Sequence, residues 1–204
     1  MEKVPIIIIG GIPGVGKTSI SGYLARQLNI NIVLSGDYIR EIIRPFFPED
    51  HVINFSVYET WKKYGENNEE NVINGFLNQG EIINKATNAT VKRAISNGEP
   101  IIIETLYFIP DQLKDILKET VPLYIYISDY ETHVKRLNER EKFTHSGSPG
   151  IRLSSNLPNY RKVMDESIRQ CYSYGIKIFN NLEYDETRDK ILSFVKETLH
   201  YDIE

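Results

Sequence analysis

The stretch Gly11-Ile12-Pro13-Gly14-Val15-Gly16-Lys17-Thr18 decides the fold. It matches G-x-x-x-x-G-K-[ST], the P-loop pattern, at every defined position. Its flanks are those the pattern needs. Val4 to Ile9 is a short β-branched run of strand length, and Ser19 to Leu28 has a helical pattern. The glycines let successive backbone N–H groups point at one spot at a helix N-terminus, where a polyphosphate is held. Gly11 through Ser19 then form an ATP cradle, with Lys17 reaching the β- and γ-phosphates and the Thr18 hydroxyl a ligand of Mg²⁺. A Gly-rich turn that binds nothing would need the glycines but not Lys17-Thr18. A dinucleotide-binding turn is the other rival. Gly14-Val15-Gly16 opens as G-x-G, but Ser19 stands where the third glycine belongs, and a lysine fits that loop poorly.

Four more apolar runs of strand length follow: Ile30 to Leu34, Pro100 to Glu104, Leu123 to Ile127 and Ile176 to Phe179. Helical patterns separate them, so the class is α/β with a parallel sheet covered on both faces. Asp37 is placed to cap a short helix running to Arg44. Residues 49–97 form a polar, helical insertion ending at Gly98, on the acceptor side of the fold. Ser128-Asp129-Tyr130-Glu131 has the form of a capping box. A loop is expected from Phe143 to Leu157, and residues 130–157 together make a lid region. Nothing reads as a linker, so residues 1–204 are expected to be a single domain.

With 41% hydrophobic and 25% charged residues in 204, the composition is that of an ordinary globular protein. A formal net charge of -4 gives no support for a sequence-independent nucleic-acid or anionic-membrane binder. Cys171 is the one cysteine, so no internal disulfide forms and a thiol-based metal site is not indicated. No segment approaches a membrane span. The apolar stretch after Met1-Glu2-Lys3 is too short for a signal sequence, and a cytoplasmic location is expected.

In such sheets ligands sit at the carboxyl ends of the strands. That rule selects Asp37, Glu104, Tyr107, Ser128-Asp129 and Asn180-Asn181. A carboxylate at Asp37 can orient an acceptor hydroxyl for in-line attack on the γ-phosphate and accept its proton. Arg40 and Arg44, four apart, share a helix face and could grip an anionic acceptor, or form a solvated face. Glu104 ends its strand where P-loop proteins hold the Mg²⁺ water shell, though it could brace a loop instead. Arg136 and Arg140 share another helix face, suited to a lid that neutralises transition-state charge, or to an exposed helix. Asn180 is assigned to the ATP site, and Gln79, Glu104 and Tyr107 to the acceptor. His51 and His133 read as surface residues. Trp61, with Tyr58 and Tyr64 near it, reads as core packing. No Asp-x-x-Gly follows the third strand and Asn84-Lys85-Ala86-Thr87 lacks the guanine-reading aspartate, which excludes a regulatory GTPase. A mechanical or nucleic-acid-remodelling ATPase would need more chain and a basic surface.

Gly10-Gly11 before the P-loop, Asp37-Tyr38-Ile39-Arg40-Glu41-Ile42, Gly75-Phe76 with Gln79, and Ile102-Ile103-Glu104 followed by Pro110 resemble the archaeal 2-phosphoglycerate kinase group over most of the chain. The resemblance implies a nucleoside-monophosphate-kinase type of P-loop fold with strand order 2-3-1-4-5. It also implies Mg-ATP as donor and a small phosphorylated acid as acceptor. Two positions depart from the group's pattern. Gly36 replaces a threonine before the aspartate, and Thr105-Leu106-Tyr107 replaces a Gly-x-His after the glutamate of strand three. The bulkier, more apolar wall suits a longer, methyl-branched acid. The expected order of acceptors is therefore mevalonate 3-phosphate, on the mevalonate route to isoprenoids, then 2-phosphoglycerate, then a nucleoside monophosphate.

Overall fold

Four consecutive isoleucines, Ile6 to Ile9, form the body of the central strand, β1 (Ile6–Gly10), every residue of which is buried. A strand so apolar on both faces needs cover on both, and helices provide it. The computed structural model describes residues 4–139 and 150–200. Its sheet contains β1, β2 (Ile32–Ser35), β3 (Ile101–Thr105), β4 (Val121–Tyr126) and β5 (Lys177–Asn180), in the order β2-β3-β1-β4-β5. All pairs are parallel; Ile9 lies beside Glu104 in β3 and beside Leu123 in β4. The expected architecture and strand order are those observed.

The helices are α1 (Lys17–Gln27), α2 (Gly36–Ile43), α3 (Glu69–Asn97), α4 (Pro110–Leu117), α5 (Tyr130–Glu139), α6 (Gly150–Ser154), α7 (Leu157–Ser173) and α8 (Tyr184–Leu199). Residues 49–97 divide in two. The first part makes short 3-10 turns at Val52–Asn54 and Val57–Lys63, and the second is α3, a 29-residue helix. Asn68 caps α3 by accepting from the Asn71 N–H, and Gly98 ends it in a left-handed conformation at φ 66°. Val72, Phe76, Ile83, Val91 and Ala94 make its buried stripe. Gly75 lets the 57–63 turns press against it, since an added Cβ would meet the Thr60 side chain at 2.2 Å.

Three local expectations are corrected. Ser35, not Asp37, caps α2; its Oγ accepts from the Asp37 N–H at 3.3 Å. Asp129, not Ser128, caps α5, its Oδ1 accepting from the Thr132 N–H at 2.7 Å. The expected loop to Leu157 contains α6 in its described part, anchored by buried Leu153. No helix among the described residues is long and apolar enough to cross a membrane.

Candidate active site

The P-loop joins β1 to α1, and its glycines answer a conformational need. Gly14 and Gly16 have φ of 86° and 95°, in the left-handed region that a β-carbon disfavours. No side chain caps α1, and no acidic residue lies in its first turn. The opening N–H groups of this helix, which α2 and α3 satisfy with Ser35 and Asn68, are therefore left for an anion. Lys17 Nζ donates to the Ile12 carbonyl at 3.2 Å, which folds the side chain back over the loop.

The Thr18 hydroxyl donates to Glu104 Oε2 at 3.1 Å. Glu104 is only 8% exposed, yet it is brought to the P-loop by strand register alone, because β3 neighbours β1. The pair offers two hard oxygen ligands where a nucleotide's phosphates would lie. No group of three His, Cys, Asp or Glu suited to a metal exists among the described residues. The hydroxyl and carboxylate of the Thr18–Glu104 pair fit Mg²⁺, which is bound through few protein oxygens plus substrate phosphates and water. They do not make a dedicated all-protein metal cage.

Under the P-loop lies His133, which the sequence suggested was at the surface. It is fully buried on α5, with Nε2 2.8 Å from the Pro13 carbonyl. A carbonyl only accepts, so Nε2 carries the proton and Nδ1 is left as a buried acceptor without a partner. Burial pushes the His133 pKa down to about 4, with the bond to Pro13 acting the other way. The unfolded chain takes up this proton below pH 6.5 and the folded chain only near 4. Stability therefore falls as pH drops through that window, by on the order of 3 kcal/mol from this group. Thermal melts of the protein and of His133→Gln from pH 7.5 to 4 check this. The unaltered protein is expected to lose more stability across the window, and parallel curves would refute it.

The β5–α8 connection also braces the loop. Asn181, fully buried, donates from Nδ2 to the Val15 carbonyl at 2.8 Å, and an added Cβ at Gly16 would meet that same nitrogen at 2.7 Å. Asn180, assigned to ATP, instead pairs with Ser128: its Oδ1 accepts from the Ser128 N–H and its Nδ2 donates to Ser128 Oγ. Arg136 donates from both terminal nitrogens to the carbonyls of Asn181 and Leu182, each at 2.6 Å. It thus holds the edge of the nucleotide site in this structure, rather than reaching across it. Arg140 lies outside the described residues.

The acceptor side departs further from expectation. Gln79 is fully buried, its Nε2 donating to the Val52 and Phe55 carbonyls at 3.0 and 2.9 Å, while its Oε1 accepts from the Tyr107 hydroxyl at 2.9 Å. It is a brace behind the site. Tyr107, 2% exposed and stacked on Phe76, lies beside it, and burial raises its pKa far above the ordinary phenol value. Arg40 donates to the Phe55 carbonyl and to Glu41, and Arg44 pairs with the same Glu41 at 2.9 Å. Two guanidinium groups on one carboxylate leave one net positive charge on this rim, not a free pair of forks. Asp37 is exposed, and its carboxylate makes no hydrogen bond or ion pair with the described residues. Burial is the main cause of the raised pKa of the Tyr107 and Tyr160 phenols, and the Asp37 charge adds to both. Tyr160 and Arg152 belong to no sequence motif that would single them out. His51 accepts from the Ile53 N–H and stacks on Phe47.

The two departures from the group's pattern touch each other. An added Cβ at Gly36 would lie 2.4 Å from Thr105 Oγ1 and 2.8 Å from its Cβ. Thr105 Oγ1 also accepts from the Tyr107 N–H at 2.9 Å. Gly36 adjoins Asp37 and Thr105 adjoins Glu104, so this contact sets the spacing between the two carboxylate-bearing strand ends. Gly36→Ala should destabilise by about 1–3 kcal/mol through overpacking. Adding Thr105→Gly should restore part of it, a coupling measurable in a denaturant double-mutant cycle. Strict additivity would show that the contact is not the cause.

The AAA domain family model matches residues 7–150, which covers the P-loop, the strand-three glutamate and α5. Mevalonate-3-phosphate 5-kinase of Thermoplasma acidophilum is 45% identical over 188 residues, covering 92% of this chain and 93% of that protein. The chain belongs to the mevalonate-3-phosphate 5-kinase family. The kinase is also 28% identical to 2-phosphoglycerate kinase of Methanopyrus kandleri and 30% identical to that of Pyrococcus horikoshii. Alignment covers 97% and 93% of this chain but only 62% and 64% of those longer proteins. Among solved structures, shikimate kinase from Acinetobacter baumannii in complex with shikimate superposes with a TM-score of 0.59 at 14% identity, over 100% of this chain and 97% of that one. A gluconokinase from Sinorhizobium meliloti gives 0.55 at 10%, over 98% and 96%. At those identities the agreement concerns the fold. The kinase is an ATP-using phosphotransferase with a hydroxyl acceptor.

Proposed function

We propose that this kinase transfers the γ-phosphoryl group of Mg-ATP to the 5-hydroxyl of mevalonate 3-phosphate, giving mevalonate 3,5-bisphosphate and ADP, in the cytoplasm. The observation that carries the chemistry is the unpartnered Asp37 carboxylate at the end of β2, one strand from the Thr18–Glu104 pair. The choice of acceptor follows from the 45% identical relative and from the Thr105-Leu106-Tyr107 wall. Phosphates lie on the P-loop N–H groups, with Lys17 released from Ile12 to the β- and γ-oxygens. Thr18 would hold Mg²⁺ directly and Glu104 through water, and the ion would neutralise charge on those phosphate oxygens. Asp37 orients the acceptor hydroxyl and takes its proton as the oxygen–phosphorus bond forms and ADP leaves. Arg40 and Arg44 contribute the net positive rim that attracts an anionic acid. Arg136 frames the nucleotide, and Arg140 belongs to the lid.

The test is kcat/KM for mevalonate 3-phosphate, 2-phosphoglycerate and a nucleoside monophosphate with Mg-ATP, with unphosphorylated mevalonate as control. Mevalonate 3-phosphate should lead 2-phosphoglycerate by about 10-fold or more, the worth of one or two apolar carbons in a fitted pocket. A preference for 2-phosphoglycerate would overturn the acceptor and leave the phosphotransferase chemistry standing.

A further inference from the structure

Three polar side chains, on the 57–63 turns, α7 and α6, have no hydrogen-bond or ion-pair partner among the described residues. Tyr58, in the 57–63 turns, and Tyr160, on α7, are 6% and 5% exposed. Their rings meet edge to face, with centroids 5.4 Å apart. The Asn159 side chain, donating to the Tyr58 carbonyl at 3.1 Å, locks the two elements together. A buried phenol ordinarily finds a hydrogen-bond partner for its hydroxyl. Neither of these does among the described residues. Nor is either oxygen sealed away, as the Tyr124 hydroxyl is. Both hydroxyls therefore remain within reach of a ligand.

Arg152 completes the group from α6. Its backbone is pinned: Leu153 is buried, Asn156 Nδ2 donates to the Arg152 carbonyl at 2.8 Å, and Ser154 Oγ bonds Asn138 on α5 at 2.7 Å. Its guanidinium is exposed and makes no hydrogen bond or ion pair with the described residues. Among the described residues, the arginines near the strand ends are occupied: Arg40 and Arg44 by Glu41, Arg136 by the carbonyls of Asn181 and Leu182, and Arg161 by those of Ile127 and Ser128. Ser154 ties α6 to α5, and Arg161, next to Tyr160 in sequence, donates to the Ile127 and Ser128 carbonyls just past β4, so α6 and α7 both border the carboxyl end of the sheet. The Arg152 and Asp37 charges act on the Tyr160 phenol in opposite directions.

We infer that Arg152, Tyr160 and Tyr58 form the subsite for the phosphate that the acceptor already carries. Two O–H donors and one planar fork of N–H donors match the several acceptor oxygens of a phosphate dianion. Asp37 is left to orient the acceptor's hydroxyl. The inference rests on the reading of the acceptor as a phosphorylated acid. It also assigns the discrimination against unphosphorylated acids to α6 and α7, not to the rim of α2.

The test measures acceptor Kd by calorimetry with Mg-ADP present. Ligands are mevalonate 3-phosphate and mevalonate or, if the unaltered kinase phosphorylates 2-phosphoglycerate instead, 2-phosphoglycerate and glycerate. Arg152→Gln should weaken the phosphorylated acid about 10- to 100-fold, the worth of a charge-assisted hydrogen-bond pair. Tyr160→Phe and Tyr58→Phe, which remove only a hydroxyl, should each cost about 3- to 10-fold. Binding of the unphosphorylated acid and KM for ATP should not change, and melting temperatures of the Phe variants should stay close to the parent's. Equal losses on both acids, an effect of Arg152→Gln on ATP alone, or no effect would each overturn the subsite. A kinase that phosphorylates neither acid would remove the acceptor reading itself, and the subsite with it.

Discussion

Lys17→Met should lower kcat by at least about 10²–10³-fold, the scale of removing one preorganised donor from a developing anion. The expected loss exceeds that of a neutral donor, because a full positive charge is withdrawn from the β- and γ-oxygens. Methionine keeps most of the aliphatic stem. The donor bond from Nζ to the Ile12 carbonyl, one of the contacts that Lys17 makes, is lost, and each such bond is worth about 0.5–1.5 kcal/mol. For a chain of this size that shifts the melting temperature by only a few degrees. Steady-state kinetics and a thermal melt on the same preparation separate the two effects. Near-normal kcat would end the reading of Gly11–Thr18 as a phosphate cradle. A collapse of the melting temperature would mean that Lys17 holds the loop, not the nucleotide.

Asp37→Asn should lower kcat by about 10²–10⁴-fold, the usual contribution of a positioned general base. The amide can still accept a hydrogen bond from the acceptor hydroxyl, but it cannot take up the proton. This substitution is unusually clean. Ser35 holds the cap of α2, the Asp37 carboxylate bonds to nothing described, and only its backbone N–H serves the cap. The fold should be unaffected, and KM for ATP should be close to the parent's because the donor contacts lie in the P-loop. If ATP affinity dropped while kcat held, Asp37 would belong to the metal site and Glu104 alone would not suffice there.

The P-loop and the parallel sheet were legible in the sequence because each rests on local pattern, whereas the strand order followed only from the resemblance to a kinase group. The run Ile6–Ile9 can only be a strand covered on both faces. Gly14 and Gly16 stand where the backbone must adopt positive φ. The strand-end carboxylates Asp37 and Glu104 follow from the rule that parallel sheets present their carboxyl ends to ligands. What the side chains between them do was not legible, since it depends on which distant segment arrives beside them. Helical spacing put Arg40 and Arg44 on one face, but only the folded chain set Glu41 between them and the Phe55 carbonyl against Arg40. Gln79 looked like a ligand and His133 like a surface residue. The 52–55 turns enclose the first, and Pro13 packs over the second, 120 residues away in sequence. Tyr58, Arg152 and Tyr160 belong to no motif. They form a group only because the turns, α6 and α7 converge on one cleft, and sequence periodicity carries no information about that convergence.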